Sequence, residues 1–176
     1  QKVNTKPIDW TNKVFVQPKL DGVRCIFTKD GAYSRNHKQF KNVDHLQDDL
    51  QDFFKKFPDI VLDGELYNHA LKQDFEKIIS LVRKQKPSEQ DRSEASDLVQ
   101  FHVYDVITEP NFTYEFRHNM LALQLPIVKS ITLIKNTVVE SYDEAKMLHA
   151  VHLAQGYEGS MLRLNAFYEQ KRSYNL

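Results

Sequence analysis

The strongest constraint on this chain is a series of short β-branched and aromatic runs, each ending beside a charged residue. Val14-Phe15-Val16-Gln17 and Val23-Arg24-Cys25-Ile26-Phe27 read as strands by that content, with Lys19-Leu20-Asp21-Gly22 in the loop between them. Asp30-Gly31 is a hairpin signal that returns the chain through Ala32-Tyr33-Ser34 to Arg35. Lys19, Arg24 and Arg35 are therefore expected on one small antiparallel meander. Ile60-Val61-Leu62 is a buried-strand run that delivers Asp63-Gly64-Glu65 at its end. Leu98 to Ile107 alternates, with Val99, Phe101 and Val103 facing one way and His102 and Tyr104 the other, as in a central strand. Ile131 to Val139 reads as a further strand, and Met161-Leu162 as the start of one with Glu158 at its mouth.

Helical spacing interrupts these runs. Leu46, Leu50, Phe53, Phe54 and Phe57 form one stripe, capped by Asp44 and ended by Pro58; Leu71, Phe75, Ile78, Ile79 and Val82 form a second. Tyr114 to Leu125 is a third helix. Ser141-Tyr142-Asp143-Glu144 is a capping box opening a fourth, through Leu148 and Leu153, which Gly156 closes. The polar stretch from Arg83 to Asp97 reads as an exposed, mobile loop. Its basic start, Arg83-Lys84-Gln85-Lys86, is either a solvated face or a contact to a phosphate backbone. The lead-in through Pro7 carries no period, and Trp10 is a packing anchor. Strands interleaved irregularly with helices, and hairpin signals in place of strict βαβ units, argue an α+β domain on antiparallel sheets. At 176 residues it is one domain with a real core.

Charge narrows the partners little. Lys plus Arg and Asp plus Glu both number 24, so there is no global positive field, and phosphate contacts must come from local patches. The single cysteine, Cys25, cannot form an internal disulfide and sits in an apolar run, which fits a reducing, intracellular compartment. No basic-then-apolar leader opens the sequence and no apolar run nears the roughly 18 residues of a membrane span, so no membrane partner is expected. The seven histidines show no metal-ligand spacing, and there is no phosphate-binding P-loop or dinucleotide-binding glycine pattern.

Chemistry concentrates at Lys19-Leu20-Asp21-Gly22-Val23-Arg24. A lysine side chain, with a pKa of roughly 10.4, is protonated at neutral pH and becomes a nucleophile only where burial, a cation or a metal favours the free amine. The bland alternative is a solvated Lys-Asp pair at a glycine turn. The hexapeptide resembles the nucleotide-accepting lysine motif of the covalent nucleotidyltransferases, the ATP-dependent DNA and RNA ligases and the mRNA-capping guanylyltransferases. Leu62-Asp63-Gly64-Glu65-Leu66, Val103-Tyr104-Asp105 and Tyr157-Glu158-Gly159-Ser160-Met161-Leu162-Arg163 follow in that family's order. Ser34-Arg35-Asn36-His37-Lys38-Gln39-Phe40 is similar to a segment common in DNA ligases, with His37 where glycine is usual. That tilts the resemblance toward ATP-dependent DNA ligases, of the small viral and phage type.

The resemblance implies a nucleotidyltransferase, ATP-grasp-like ligase fold, antiparallel sheets flanked by helices with the nucleotide between them. Lys19 would attack the α-phosphate of ATP and hold AMP as a phosphoramidate. Pro18 and Leu20 would flank that nucleotide, and Gln17 would read the adenine edge. Tyr104 would stack on the base and Glu65 bind the ribose hydroxyls. Arg24 would serve the ribose and later the 5′-phosphate of a nick, which Arg35 would also meet. Glu158, with Asp21 as a second ligand, would hold Mg2+ or Mn2+. The partner would be nicked double-stranded DNA, and the protein a monomer inside a cell, encoded by a virus or phage. From Tyr168 the sequence resembles the lead into a strand bearing a Lys-x-Lys pair, but those lysines and the OB-fold domain that follow in the family are absent, so this chain is expected to seal nicks poorly. An RNA ligase or GTP-using capping enzyme is the alternative, and a non-catalytic nucleotide- or nucleic-acid-binding module the second.

Overall fold

The computed structural model describes residues 7–169. The anticipated Lys-x-Lys approach beyond Glu169 lies outside the described residues. In chain order the strands are β1 (Val14–Lys19), β2 (Val23–Thr28), β3 (Gly31–Tyr33), β4 (Val61–Tyr67), β5 (Gln100–Ile107), β6 (Ile131–Leu133), β7 (Thr137–Val139) and β8 (Gly159–Leu164). The helices are α1 (Asp44–Asp49), α2 (Gln51–Lys56), α3 (Phe75–Val82), α4 (Glu89–Leu98), α5 (Tyr114–Gln124) and α6 (Tyr142–Ala154). They build an α+β fold on two sheets: a five-stranded one in the order β3-β2-β4-β5-β6 and a three-stranded one in the order β7-β1-β8. All pairings between these strands are antiparallel except β5 with β6.

This arrangement corrects the expected meander. β1 and β2 do not pair; they belong to different sheets, and Leu20-Asp21-Gly22 carries the chain from one to the other. Lys19 is thus the last residue of a strand in the small sheet, while Arg24 lies in the large one. Ile131–Val139 is likewise not one strand. β6 extends the large sheet and β7 the small one, so the chain crosses between sheets twice. The apolar periodicity is the same whichever sheet a strand joins, which is why it could not report the crossing.

The large core holds Cys25, Phe27, Leu62, Leu66, Phe101, Val103 and Val106 from the sheet, against Leu46, Leu50, Phe53, Ile78, Leu81 and Leu121 from the helices. A smaller cluster, Val14, Val16, Val139 and Ala145, joins the small sheet to α6, with Trp10 packed against it as anticipated. The stripe at 46–57 is two helices, not one, because Leu50 takes φ −93°, ψ −1° between them. The bend leaves Leu46, Leu50, Phe53 and Phe54 all buried. Asp44 is the first helical residue, the cap position falling to Val43.

The polar stretch after Arg83 is the largest departure. From Glu89 it is helical, not a mobile loop, because Ser88 accepts from the Asp91 amide at 3.2 Å while the Asp91 carboxylate accepts from the Ser88 amide at 2.9 Å. Ala95 packs fully into the core, and the Asn42 amide ties α4 to α3 through the carbonyls of Asp91 and Leu81. The hairpin of β2 and β3 turns at Lys29-Asp30, with Gly31 at φ +130° opening β3.

His37 stands at φ +59° in the turn closed by the Ser34 amide and the Lys38 carbonyl. A left-handed conformation costs a side chain roughly 1–2 kcal/mol that glycine avoids, partly offset by glycine's greater unfolded-state entropy. His37→Gly should therefore raise stability by up to ~1 kcal/mol. A thermal midpoint at or below that of the parent would contradict this account of the turn.

Candidate active site

β1 pairs with β8 so that Lys19 lies opposite Gly159, and the Glu158 amide donates to the Lys19 carbonyl at 3.1 Å. That register places the Glu158 carboxylate directly on Lys19 Nζ as an ion pair. The turn that follows runs against β4. A Cβ on Gly22 would stand 2.5 Å from Glu65 Cγ and 2.7 Å from the Leu66 carbonyl oxygen. Glycine at that position is what lets the lysine strand of one sheet approach the carboxylates of the other.

On β4, Leu62 and Leu66 enter the core, so Asp63 and Glu65 share the opposite face. Arg24 grips Asp63 with two parallel bonds, Nε to Oδ1 at 3.1 Å and Nη2 to Oδ2 at 2.8 Å. Burial pushes the Glu65 carboxyl up to about 8, with the Asp63 charge adding to it and the Arg24 charge opposing. The charges of Asp21 and Lys19 also bear on Glu65, so all five groups share one electrostatic neighbourhood. Asp21 itself is exposed on the turn.

Tyr104 arrives by a bulge. Asp63 is opposite Asp105 and Gly64 opposite Val103, so Tyr104 is an extra residue on β5. The strand thereby returns Val106 to the core and leaves Tyr104 half-buried on the site face. Burial raises its hydroxyl well above the ordinary tyrosine value, and Asp63 and Glu65 raise it further. Arg163 lies 5.1 Å from its ring centroid.

Beneath these groups lies a buried network that the motifs alone did not reveal. Asp105 accepts from Arg117 at 2.7 and 3.0 Å and from Arg163 at 3.1 Å. Arg163 also donates to Gln17 Oε1 at 2.5 Å, and Gln17 Nε2 donates to the Tyr114 hydroxyl at 2.8 Å. Gln17 is 2% exposed. Both ends of its amide are committed inside the protein, and they tie β1 to β8 and to α5. Arg163, at the end of the Glu158 motif, and Asp105, after Tyr104, were visible in sequence, but a charged residue in a motif does not announce whether it faces ligand or core.

Pro18 and Leu20 flank Lys19 and are each half-buried; Arg35 lies exposed on the turn after β3. Among the described residues no three His, Cys, Asp or Glu side chains form a metal cage. Glu158 already faces a cation in Lys19, and one such carboxylate suits magnesium, which keeps waters and substrate phosphates as its other ligands.

The Glu65 carboxyl fixes a pH dependence. Its folded value, about 8, exceeds the unfolded 4.5, so the stability it contributes is fully present below pH 4.5 and is lost as pH rises through 8. Glu65→Gln should remove that loss. The variant should gain on the parent by ~2–4 kcal/mol between pH 5 and pH 8.5, read from urea midpoints at both values. Parallel pH profiles for the two proteins would contradict it.

Lys19 thus meets Glu158 at the end of β1, while Arg24, Glu65 and Tyr104 share one electrostatic neighbourhood on the large sheet. The family profile of the ATP dependent DNA ligase domain matches residues 5–176. The chain belongs to the ATP-dependent DNA ligase domain family. Two African swine fever virus proteins named DNA ligase are similar to this ligase domain. That of isolate Tick/South Africa/Pretoriuskop Pr4/1996 is 30% identical over 167 residues, covering 88% of this chain and 37% of its own. That of strain Badajoz 1971 is 30% identical over 172 residues, covering 91% and 38%. The ligase domain thus spans well under half the length of these relatives. Among solved structures, one of Lig E DNA ligases superposes with a TM-score of 0.76 at 22% identity, covering 99% of this chain and 64% of that one. The bacteriophage T7 ATP-dependent DNA ligase in complex with ATP gives 0.69 at 17%, covering 92% and 60%. An archaeal ATP-dependent RNA ligase gives 0.62 at 18%, covering 89% and 42%. At these identities the likeness is one of fold, and the fold is shared by DNA and RNA ligases.

Proposed function

We propose that this chain is the adenylation unit of an ATP-dependent DNA ligase, with Lys19 as the residue that carries AMP. The observation that carries the reading is the meeting of Lys19 and Glu158 at the junction of the two sheets, opposite Arg24, Glu65 and Tyr104. Lys19 Nζ, as the free amine, attacks the α-phosphorus of ATP; an N–P bond forms while the bond to pyrophosphate breaks in line. The Glu158 carboxylate is the group in contact with Nζ to receive its proton. Mg2+ or Mn2+, held by Glu158 with Asp21 nearby, would supply charge neutralisation on the phosphates. Glu65, carrying its proton at neutral pH, can both donate to and accept from the ribose hydroxyls. Tyr104 offers its ring to adenine. AMP then passes to the 5′-phosphate of a nick, met by Arg24 and Arg35, before the 3′-hydroxyl closes the backbone and releases it.

Incubation of the protein with ATP or GTP and magnesium, followed by mass measurement, tests this. The reading expects a gain of one AMP with ATP and none with GTP; GMP addition or no addition contradicts it. Tyr104 supplies a second test, because stacking needs the ring and not the hydroxyl. Tyr104→Phe should keep ATP affinity and Tyr104→Leu lose roughly 1–3 kcal/mol by calorimetry. Equal affinities for these variants would make Tyr104 a packing residue only.

A further inference from the structure

Asp63 is 2% exposed, and its Oδ2 accepts from two directions: from Arg24 Nη2 at 2.8 Å and from the Tyr168 hydroxyl at 2.8 Å. Tyr168 comes from the segment after β8, far along the chain, and its backbone and the residues just before it are tied down. Its amide donates to Asn111 Oδ1 and its carbonyl accepts from Asn111 Nδ2, both at 3.1 Å. Phe167 bridges to Thr113, and the Ala166 carbonyl accepts from Arg117 at 3.1 Å. The Arg117 guanidinium stands 5.6 Å from the Tyr168 ring centroid. A ring held at backbone and face places its hydroxyl with little freedom. By contrast the Arg24 side chain is 41% exposed and its carbon stem is flexible.

We propose that Tyr168 is a positioning residue: its hydroxyl fixes the Asp63 carboxylate, and Asp63 fixes the guanidinium of Arg24 that meets a phosphate. Arg24 spends Nε and one Nη2 proton on Asp63, so its Nη1 end remains for an anion. The direction of that end is set by the plane of the Asp63 carboxylate. With the Tyr168 bond in place, that plane is defined by a second donor that does not move with Arg24. Without it, carboxylate and guanidinium can rotate together as a pair, and an error in the direction of a phosphate donor is expensive in rate. The segment following β8 thereby takes part in the site.

The inference rests on the adenylation reading, and the experiment separates the two. Tyr168→Phe, Arg24→Lys and the double variant are compared in rate of AMP transfer from the pre-adenylated protein to the 5′-phosphate of nicked DNA and, independently of chemistry, in affinity for tripolyphosphate by calorimetry. Lysine keeps a cation beside Asp63 but cannot present a fork, so it removes what Tyr168 is proposed to orient. Thermal midpoints are recorded for each protein. Tyr168→Phe is expected to lower the AMP-transfer rate about tenfold and weaken tripolyphosphate, and to do neither further in the Arg24→Lys background. An equal fall in both backgrounds, or no fall in the parent, overturns the positioning role, the first outcome assigning Tyr168 to general stability. If the parent protein takes up no AMP, the adenylation reading fails, and the tripolyphosphate cycle decides the role of Tyr168 by the same comparison.

Discussion

Asp105→Ala should destabilise the fold by about 3–5 kcal/mol, the cost typical of leaving buried charge without its partner. Asp105 is 2% exposed and is the shared acceptor for Arg117, also 2% exposed, and Arg163, 7% exposed. Alanine would strand two guanidiniums in the interior at once. Arg163 would keep Gln17, and Arg117 would keep the carbonyls of Phe112 and Ala166, but neither would keep a counter-charge. Arg117 belongs to α5, Arg163 to β8 and Asp105 to β5. The network therefore spans both sheets and a helix, and its failure should loosen their junction, where Lys19 meets Glu158. Equilibrium urea unfolding checks this: a midpoint unchanged from the parent would mean that the network contributes specificity without stability. Asp105→Asn, which keeps the shape and one acceptor, should fall between the two.

The α+β class and nearly every strand position were legible because period-two alternation is a local signal, and the family because the order of its motifs is written in the sequence. The assignment of strands to sheets was not legible. β1 and β2 are separated by three residues, which locally reads as a hairpin. What forbids it is that β1 finds β7 and β8 as its partners and β2 finds β3 and β4, pairings set by burial across the whole chain. Helix α4 was missed for a different reason. Its sequence has no apolar stripe, yet Ser88 and Asp91 carry a capping signature that composition obscured. Gln17 shows what motif reading leaves out. Its place two residues before Lys19 points to a base edge, and nothing local shows that Arg163 and Tyr114, distant in sequence, hold both ends of its amide. His37 was the reverse case: the departure from glycine was visible in sequence, and its φ of +59° supplies the reason glycine suits that position.

The central claim is that Lys19 itself accepts the nucleotide, and localisation of the attached AMP tests it most directly. Four charged or titratable groups, Asp21, Arg24, Asp63 and Glu65, share the neighbourhood of Lys19, so loss of labelling in a variant could follow from a disturbed site as well as from a lost nucleophile. Two measurements made together remove that ambiguity. The parent protein is incubated with ATP and magnesium, digested, and the peptide bearing AMP is sequenced by fragmentation; Lys19→Ala and Lys19→Arg are treated identically, with ATP affinity recorded for each. The account predicts AMP on Lys19 alone in the parent, and no AMP on either variant while Lys19→Arg still binds ATP. AMP on any other residue of the parent, or an undiminished gain of AMP mass by Lys19→Ala, would contradict it.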